Sequence, residues 1–325
     1  MKKGKIDLKD LNEIISSYVG VKKKQTILSS SIGEDSCLID LKLLDEDIML
    51  ISSDPITFTS KNIGRLAVII NTNDIYASGG LGYGIMLNIL IPTNRTLNDL
   101  KKIMEEIHDE CINHNLQILG GHTEVTDAVN DIIISVTIIG TSKKQNVIKT
   151  SSSKKGDLIF LTKTLGIEGT IVLFDEHKSE LKEILTEYEI QEIEKFREKL
   201  TIKNECEILR NININSMHDI TEGGLIGALL EMSVSSKNGF KIFKEKIKIH
   251  DITKKICDYL NKDIFHLISS GNLLFTCDKE QKKIIQENFY NTDIECVIIG
   301  EVIEENQYYL DNERIPFDIS DSFFD

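Results

Sequence analysis

No stretch of this sequence approaches the ~18 uninterrupted apolar residues that a membrane-spanning helix needs. The strongest run, Ile85 to Pro92, is broken by Asn88 and has the length of a strand. The N-terminal residues Met1 to Val19 are basic but lack the continuous apolar core of a signal peptide, so a cytoplasmic chain is expected. Positive charge is scarce: Lys and Arg total 38 against 52 Asp and Glu, a formal charge of −14. Such a chain does not grip nucleic acid or an anionic membrane by broad electrostatics. It takes up a phosphate compound only where metal ions mediate. The six cysteines contain no CxxC pair, and most stand in apolar patterns such as Leu274-Phe275-Thr276-Cys277. Reduced, buried thiols are the expectation. The seven histidines show no HExxH spacing, so no structural zinc is expected. No GxxxxGK[ST] occurs, which excludes a P-loop nucleotidase, and no GxGxxG follows a strand, which argues against a dinucleotide site.

What is present is enough for a sizeable core: 41% apolar and 28% charged residues over 325 positions. That length suggests two domains of the usual ~100–200 residues. The polar stretch Thr150 to Asp157, between apolar strands, divides the chain into 1–150 and 151–325. In the first part, strands are expected at 48–53, 85–91, 116–119 and 132–139. Helices are expected at 62–78, with Asn62 as N-cap and Gly79-Gly80 as the stop, and at 97–113. There Leu97, Leu100, Met104, Ile107 and Cys111 recur at helical spacing behind Thr96 and Asp99. The run 132–139 is too continuously apolar for a strand with one wet face. In the second part, strands are expected at 158–162, 272–277, 295–299 and 306–310. Helices are expected at 168–174, in the charged stretch 179–210, and at 221–234. Strands followed by amphipathic helices in both parts suggest an α+β layer fold, with a duplicated one as the alternative to a single arrangement.

Acidic residues recur at strand ends and glycine turns: Gly33-Glu34-Asp35, Ser53-Asp54-Pro55 and Asn73-Asp74. Converging carboxylates suit Mg²⁺, which substrate phosphates then complete; turn-making and helix capping is the plainer role. Asp74 lies inside an apolar helix pattern, where a carboxylate is costly unless paired, hydrogen-bonded or on a metal; a solvent-facing helical position is the plainer reading. Gly120-Gly121-His122-Thr123-Glu124 follows a short apolar strand. It reads either as a backbone that approaches phosphate closely, with Thr123 as donor, or as an ordinary glycine turn. In Met217-His218-Asp219-Ile220-Thr221-Glu222-Gly223-Gly224, Asp219 or Thr221 is a natural N-cap, and a helix start also offers N–H groups to an anion.

Taken in order, these segments resemble the superfamily of aminoimidazole ribonucleotide (AIR) synthase, thiamine-monophosphate kinase, selenophosphate synthetase and the hydrogenase maturation protein HypE. The chain looks most like its HypE-like, AIR-synthase-related branch. The resemblance rests on Gly33 to Asp35, Ser53 to Thr57, Ile63 to Val68, Asn73 to Ile75 and Gly120 to Val125. It continues through Gly166 to Thr170, Met217 to Leu225, Ser269 to Leu274 and Ile299 to Val302. It implies a two-domain PurM-like fold, α/β in the first domain and α+β in the second, whose N-terminal domains pair in a homodimer around a shared β-barrel. It also implies ATP held through Mg²⁺. Asp35, Asp54 and Asp74 would form the metal set, with Asn73, Gly120, Gly121 and Thr123 around the phosphates. Asp219, Thr221 and Glu222 would face the cleft from the second domain. The shared chemistry is phosphorylation of an oxygen or selenium nucleophile on a small-molecule or carrier-bound substrate.

Two features depart from the pattern. HypE carries its substrate on a C-terminal cysteine, whereas this sequence ends in Asp325 and its last cysteine is Cys296, in a strand pattern. His122 stands where relatives have a carboxylate. It would contact a γ-phosphate or act as an acid–base group, or Glu124 supplies the missing oxygen. Three readings follow: a HypE-like ATP- and Mg²⁺-dependent enzyme; a thiamine-monophosphate-kinase-like enzyme; or a non-catalytic ATP-binding partner of a carbamoyltransferase-like maturation protein. His122 counts against the second, as does Asp219-Ile220-Thr221-Glu222-Gly223 in place of a more acidic turn.

Overall fold

Period-two and period-3.6 patterning alternate along the first half of the chain and place its helices on one face of a sheet. The computed structural model describes residues 4–6, 8–29, 36–57, 61–304, 307–317 and 320–322. They form two units, residues 1–76 with 80–147, and residues 77–79 with 148–325. The first unit contains β1 (Gly4–Lys5), α1 (Leu8–Ser17), β2 (Thr26–Leu28), β3 (Leu38–Ile39), β4 (Ile48–Ile56), α2 (Ile63–Ala77), β5 (Leu81–Pro92), α3 (Leu97–Asn113), β6 (Gln117–Thr126) and β7 (Ile133–Ser142). Five strands form a sheet in the order β1-β6-β5-β7-β4, and β2 pairs with β3 separately. Among the described residues of the sheet, only β5 and β6 run parallel.

Helix α3 forms as its sequence dictates. The Thr96 hydroxyl accepts the Asp99 N–H, and the Asp99 carboxylate accepts the Thr96 N–H at 2.7 Å. Leu100, Met104, Ile107 and Cys111 are buried. Helix α2 stops at the glycine pair: Gly79 takes φ +75° and the Gly80 N–H donates to the Ile75 carbonyl at 2.9 Å. Its start differs from expectation. Asn62 sits at φ +52°, outside N-cap geometry. The N–H of Gly64 donates instead to Glu106 of α3 at 3.1 Å.

The sequence also suggested a break after Leu119, but β6 runs on without a turn through Gly120 to Thr126. The glycine is needed for strand approach rather than for reversal. A Cβ on Gly121 would fall 1.9 Å from the Leu87 carbonyl oxygen. The register slips by one residue between Ile85↔Ile118 and Met86↔Gly120, a bulge at Leu119. Strand β7 shows strict alternation: Ile134, Val136 and Ile138 are fully buried, while Ile133, Ser135, Thr137, Ile139 and Thr141 are only half-buried. Helix α2 covers the first of these faces, since a Cβ on Gly140 would meet Ile75 at 2.4 Å.

The second unit contains β8 (Leu158–Thr162), α4 (Ile167–Glu176), α5 (Lys178–Ile184), α6 (Glu187–Phe196), α7 (Lys203–Leu209), β9 (Ser216–Asp219), α8 (Gly224–Ser236), β10 (Gly239–Ile242), α9 (Asp251–Leu260), β11 (Leu273–Cys277), α10 (Lys282–Tyr290), β12 (Cys296–Ile303), β13 (Tyr308–Leu310) and β14 (Glu313–Arg314). Its seven strands lie in the order β14-β13-β10-β12-β8-β11-β9. Strands β8 and β11, in the interior of the sheet, are buried on both faces. Ile159, Leu161 and Leu274 pack with Leu225, Ile226 and Leu229 of α8. By alternation Phe160 and Phe275 occupy the other face, and their rings stack at 4.9 Å. The start of α8 is a correction to the sequence reading: neither Asp219 nor Thr221 caps it. Its N-cap is Gly223, at φ +79°, with no side-chain cap of its own. The Gly223 N–H donates at 2.7 Å to Asp321, 98 residues away. Among the described residues, no helix is long and apolar enough to cross a membrane.

Candidate functional site

The contact between β4 and α2 brings two of the acidic candidates together. On β4, alternation turns Ser52 and Asp54 toward the helix side, where both are half-buried. On α2, Asn71 and Asp74 stand three residues apart on one helix face. The two pairs are cross-bonded. The Ser52 hydroxyl donates to Asp74 Oδ2 at 2.6 Å. The Asp54 N–H donates to Asn71 Oδ1 at 2.9 Å, and Asn71 Nδ2 donates to the Asp54 carbonyl at 3.3 Å. Asn71 Nδ2 also donates to Ala67 O at 3.0 Å. Two aspartates from distant segments are thus tied to one β4–α2 contact, Asp74 through its carboxylate and Asp54 through its backbone. Neighbouring Asn73 is fully buried.

Asp35 lies outside the described residues, with Gly33 and Glu34. Among the described residues no group of three His, Cys, Asp or Glu side chains converges on a metal position. Two aspartates are nevertheless a fitting donor set for Mg²⁺. That ion keeps several waters and is commonly held by one or two carboxylates plus phosphate oxygens.

His122 and Glu124 occupy a different place. In β6 they lie beside Asn88 and Leu90 of β5, on the sheet face away from α2. Gly120 shares that face, since its Cβ would meet Met86 at 3.6 Å. His122 Nε2 stands 3.7 Å from Glu124 Oε2, and the side chains are 48% and 43% exposed. Gly121 and Thr123 alternate to the α2 side, in register with Leu87 and Ile89. Within one chain, the Asp54–Asp74 pair and the His122–Glu124 pair therefore lie on opposite faces of the sheet.

In the second unit, Asp219 ends β9 and is buried, Thr221 is half-buried and Glu222 is exposed. Two residues that sequence reasoning did not single out gather here. Glu168, in the first turn of α4, is 1% exposed. Its Oε2 accepts the Ser270 N–H at 3.1 Å, while its Oε1 meets no hydrogen-bond partner among the described residues. Burial, with the nearby negative charges of Asp321 and Glu222, pushes its carboxyl up to about 7. Asp321, also buried, accepts the Gly223 N–H at 2.7 Å and the Ile268 N–H at 3.4 Å. The sequence signals for Glu168 are an acid set between Ile167 and Gly169 at a glycine turn and its place in the Gly166 to Thr170 segment of the resemblance. Asp321 gives none.

The chain matches two family models: AIR synthase related protein, N-terminal domain, over residues 33–142, and AIR synthase related protein, C-terminal domain, over residues 154–311. It is 30% identical to a putative hydrogenase expression/formation protein of Methanocaldococcus jannaschii, over 92% of this chain and 89% of that protein. Among solved structures, the hydrogenase maturation protein HypE of E. coli superposes with a TM-score of 0.80 at 18% identity, covering 95% of this chain and 96% of that one. A HypE structure in complex with ATP superposes with a TM-score of 0.69 at 18% identity, covering 83% and 80%.

Proposed function

The chain belongs to the AIR synthase related family and is an enzyme of it, and we propose that it uses ATP with Mg²⁺ to phosphorylate an oxygen nucleophile. The acceptor class is an amide, carbamoyl or phosphate oxygen on a small-molecule or carrier-bound substrate. The observation that carries this reading is the cross-bonded placement of Asp54 and Asp74. These two side chains would hold the cation. A bound Mg²⁺ supplies neutralisation of the charge on the transferred phosphoryl group. A chain of formal charge −14 has particular need of such a cation before it can take up a triphosphate.

The chain's own residues supply the rest. Ser52 spends its hydroxyl proton on Asp74, which orients that carboxylate. Gly121, lacking a side chain, leaves the β5–β6 contact closed and the Thr123 hydroxyl on the α2 side. His122, on the opposite sheet face, is not placed to contact a cation or phosphate held by Asp54 and Asp74 within one chain. The relative from M. jannaschii is named for hydrogenase expression and formation, which supports a place in hydrogenase maturation.

Calorimetric titration tests the reading. Wild-type protein is expected to bind ATP only with Mg²⁺ present, and Asp54→Ala combined with Asp74→Ala is expected to abolish the heat. Unchanged binding by the double variant would remove the basis for this assignment.

The same reading includes a homodimer. The sheet face away from α2 leaves Ile51 64% exposed and Met49 43% exposed. Beside them stand the half-buried Met86, Leu90, Ile133 and Ile139. Exposed apolar side chains of this size on a sheet face mark an interface, and a second copy of the chain, presenting the same face, covers it. Sedimentation is expected to give a dimer for the wild type and a monomer for Ile51→Glu. A monomeric wild type at micromolar concentration would contradict the pairing.

A further inference from the structure

Among the described residues β4 is an edge strand: it pairs with β7 and has no strand on its other side. An edge presents unpaired N–H and C=O groups. At Asp54 both of these groups are taken by one side chain, the carboxamide of Asn71. Its Oδ1 accepts the Asp54 N–H at 2.9 Å and its Nδ2 donates to the Asp54 carbonyl at 3.3 Å. A carboxamide carries the same acceptor and donors as a peptide group, so Asn71 acts as a one-residue mimic of the missing strand. It is wholly buried, and its Nδ2 is also shared with the Ala67 carbonyl of its own helix. That third bond fixes the amide against α2. Two elements are thereby locked in register at the position of the candidate cation ligand. One turn further along α2, Ser52 performs the reciprocal task, crossing from the strand to Asp74 at 2.6 Å.

We infer that Asn71 and Ser52 are the positioning residues of the cation site: Asn71 sets the backbone that presents Asp54, and Ser52 orients Asp74. The inference rests on the metal reading above and deepens it. Neither residue needs to touch the ion. Loss of a partner that orients a ligand typically costs about 10- to 100-fold in metal affinity.

The test uses Mn²⁺ as the probe, read by calorimetry and by its electron paramagnetic resonance line shape, on full-length protein. Asn71→Leu preserves approximate side-chain size and removes all three hydrogen bonds. It is expected to weaken Mn²⁺ binding at least about tenfold and to speed hydrogen exchange at the Asp54 amide. Ser52→Ala is expected to weaken binding as well, and Ser52→Thr, which keeps the hydroxyl, to restore it. Rescue of affinity by the retained hydroxyl is a signature that a merely structural role does not produce. If the wild type binds Mn²⁺ and both Asn71→Leu and Ser52→Ala bind it equally well, the positioning roles are wrong. If the wild type binds no Mn²⁺, the cation site itself is overturned, and the inference goes with it. Should Asn71→Leu fail to fold, the Ser52 pair decides the outcome alone.

Discussion

Lys163→Met is expected to lower the unfolding free energy by about 3–5 kcal/mol. Lys163 follows β8 at φ +56° and turns its side chain inward, leaving it only 12% exposed. Its ammonium lies 2.6 Å from Glu205 Oε1, and Glu205 is 1% exposed. The same nitrogen donates to the carbonyls of Lys199 at 3.0 Å, Thr201 at 2.7 Å and Gly271 at 2.9 Å. Burial pulls the ammonium's proton affinity down, and the Glu205 carboxylate partly offsets it.

A methionine fills much of the same space but leaves a buried carboxylate without its counter-ion and three carbonyls without their donor. The penalty comes from those stranded groups rather than from the lost bond itself. The double variant Lys163→Met with Glu205→Leu is therefore expected to recover most of the loss, because an apolar pair of similar volume strands fewer polar groups. Denaturant unfolding of the two single variants and the double variant measures the cycle. A single-variant loss below about 1 kcal/mol would mean that water reaches the pair and that it behaves as a surface ion pair. The consequence extends toward the acidic cluster. Lys163 anchors Gly271, whose neighbour Ser270 supplies the N–H that holds Glu168.

How much of this was readable in the sequence depends on how far apart the interacting groups lie. Helix α3 was fully legible because its cap, Thr96 with Asp99, and its apolar stripe are local. The cap of α8 was not. Local chemistry offered Asp219 and Thr221, but the chain brings Asp321 from 98 residues away, and no pattern within a helical turn encodes that. Gly120 and Gly121 were misleading in a different way. Glycine marks either a turn or a close approach, and only the Leu87 carbonyl, facing Gly121 across the strands, decides for the second.

At the site, Asp54 and Asp74 stood out because a carboxylate at a strand end or inside an apolar helix demands a partner. Their partners Ser52 and Asn71 did not stand out, since a serine on a strand and an asparagine on a helix are unremarkable until the two elements meet. That His122 and Glu124 fall on the opposite face follows from a one-residue bulge at Leu119. Slipping a strand by one residue exchanges its two faces, and no residue type announces the slip.

Glu168→Gln is expected to stabilise the protein at pH 8 by about 3 kcal/mol and to have almost no effect at pH 4. In the folded protein the Glu168 carboxyl is pushed up to about 7, first by burial and then by Asp321 and Glu222. In the unfolded chain it titrates near its ordinary value of 4.5. Between those two values the native state holds a proton that the unfolded state has released, so raising the pH favours unfolding. The stability that goes with a neutral Glu168 is complete below about 4.5 and is lost as the pH rises through about 7. Each tenfold change in proton affinity is worth about 1.4 kcal/mol, which sets the expected size. Glutamine matches the shape and never ionises, so the difference between variant and wild type isolates this one group from the chain's other carboxylates. Urea midpoints at pH 4, 6 and 8 measure that difference. A difference that does not change with pH would mean that water solvates the carboxylate and that the buried cluster does not exist as drawn. The direction also bears on Asp321. Once Glu168 ionises, two negative charges face each other beside the Gly223 and Ile268 amides, and these amides are expected to exchange faster at pH 8 than the intrinsic pH dependence of exchange alone allows.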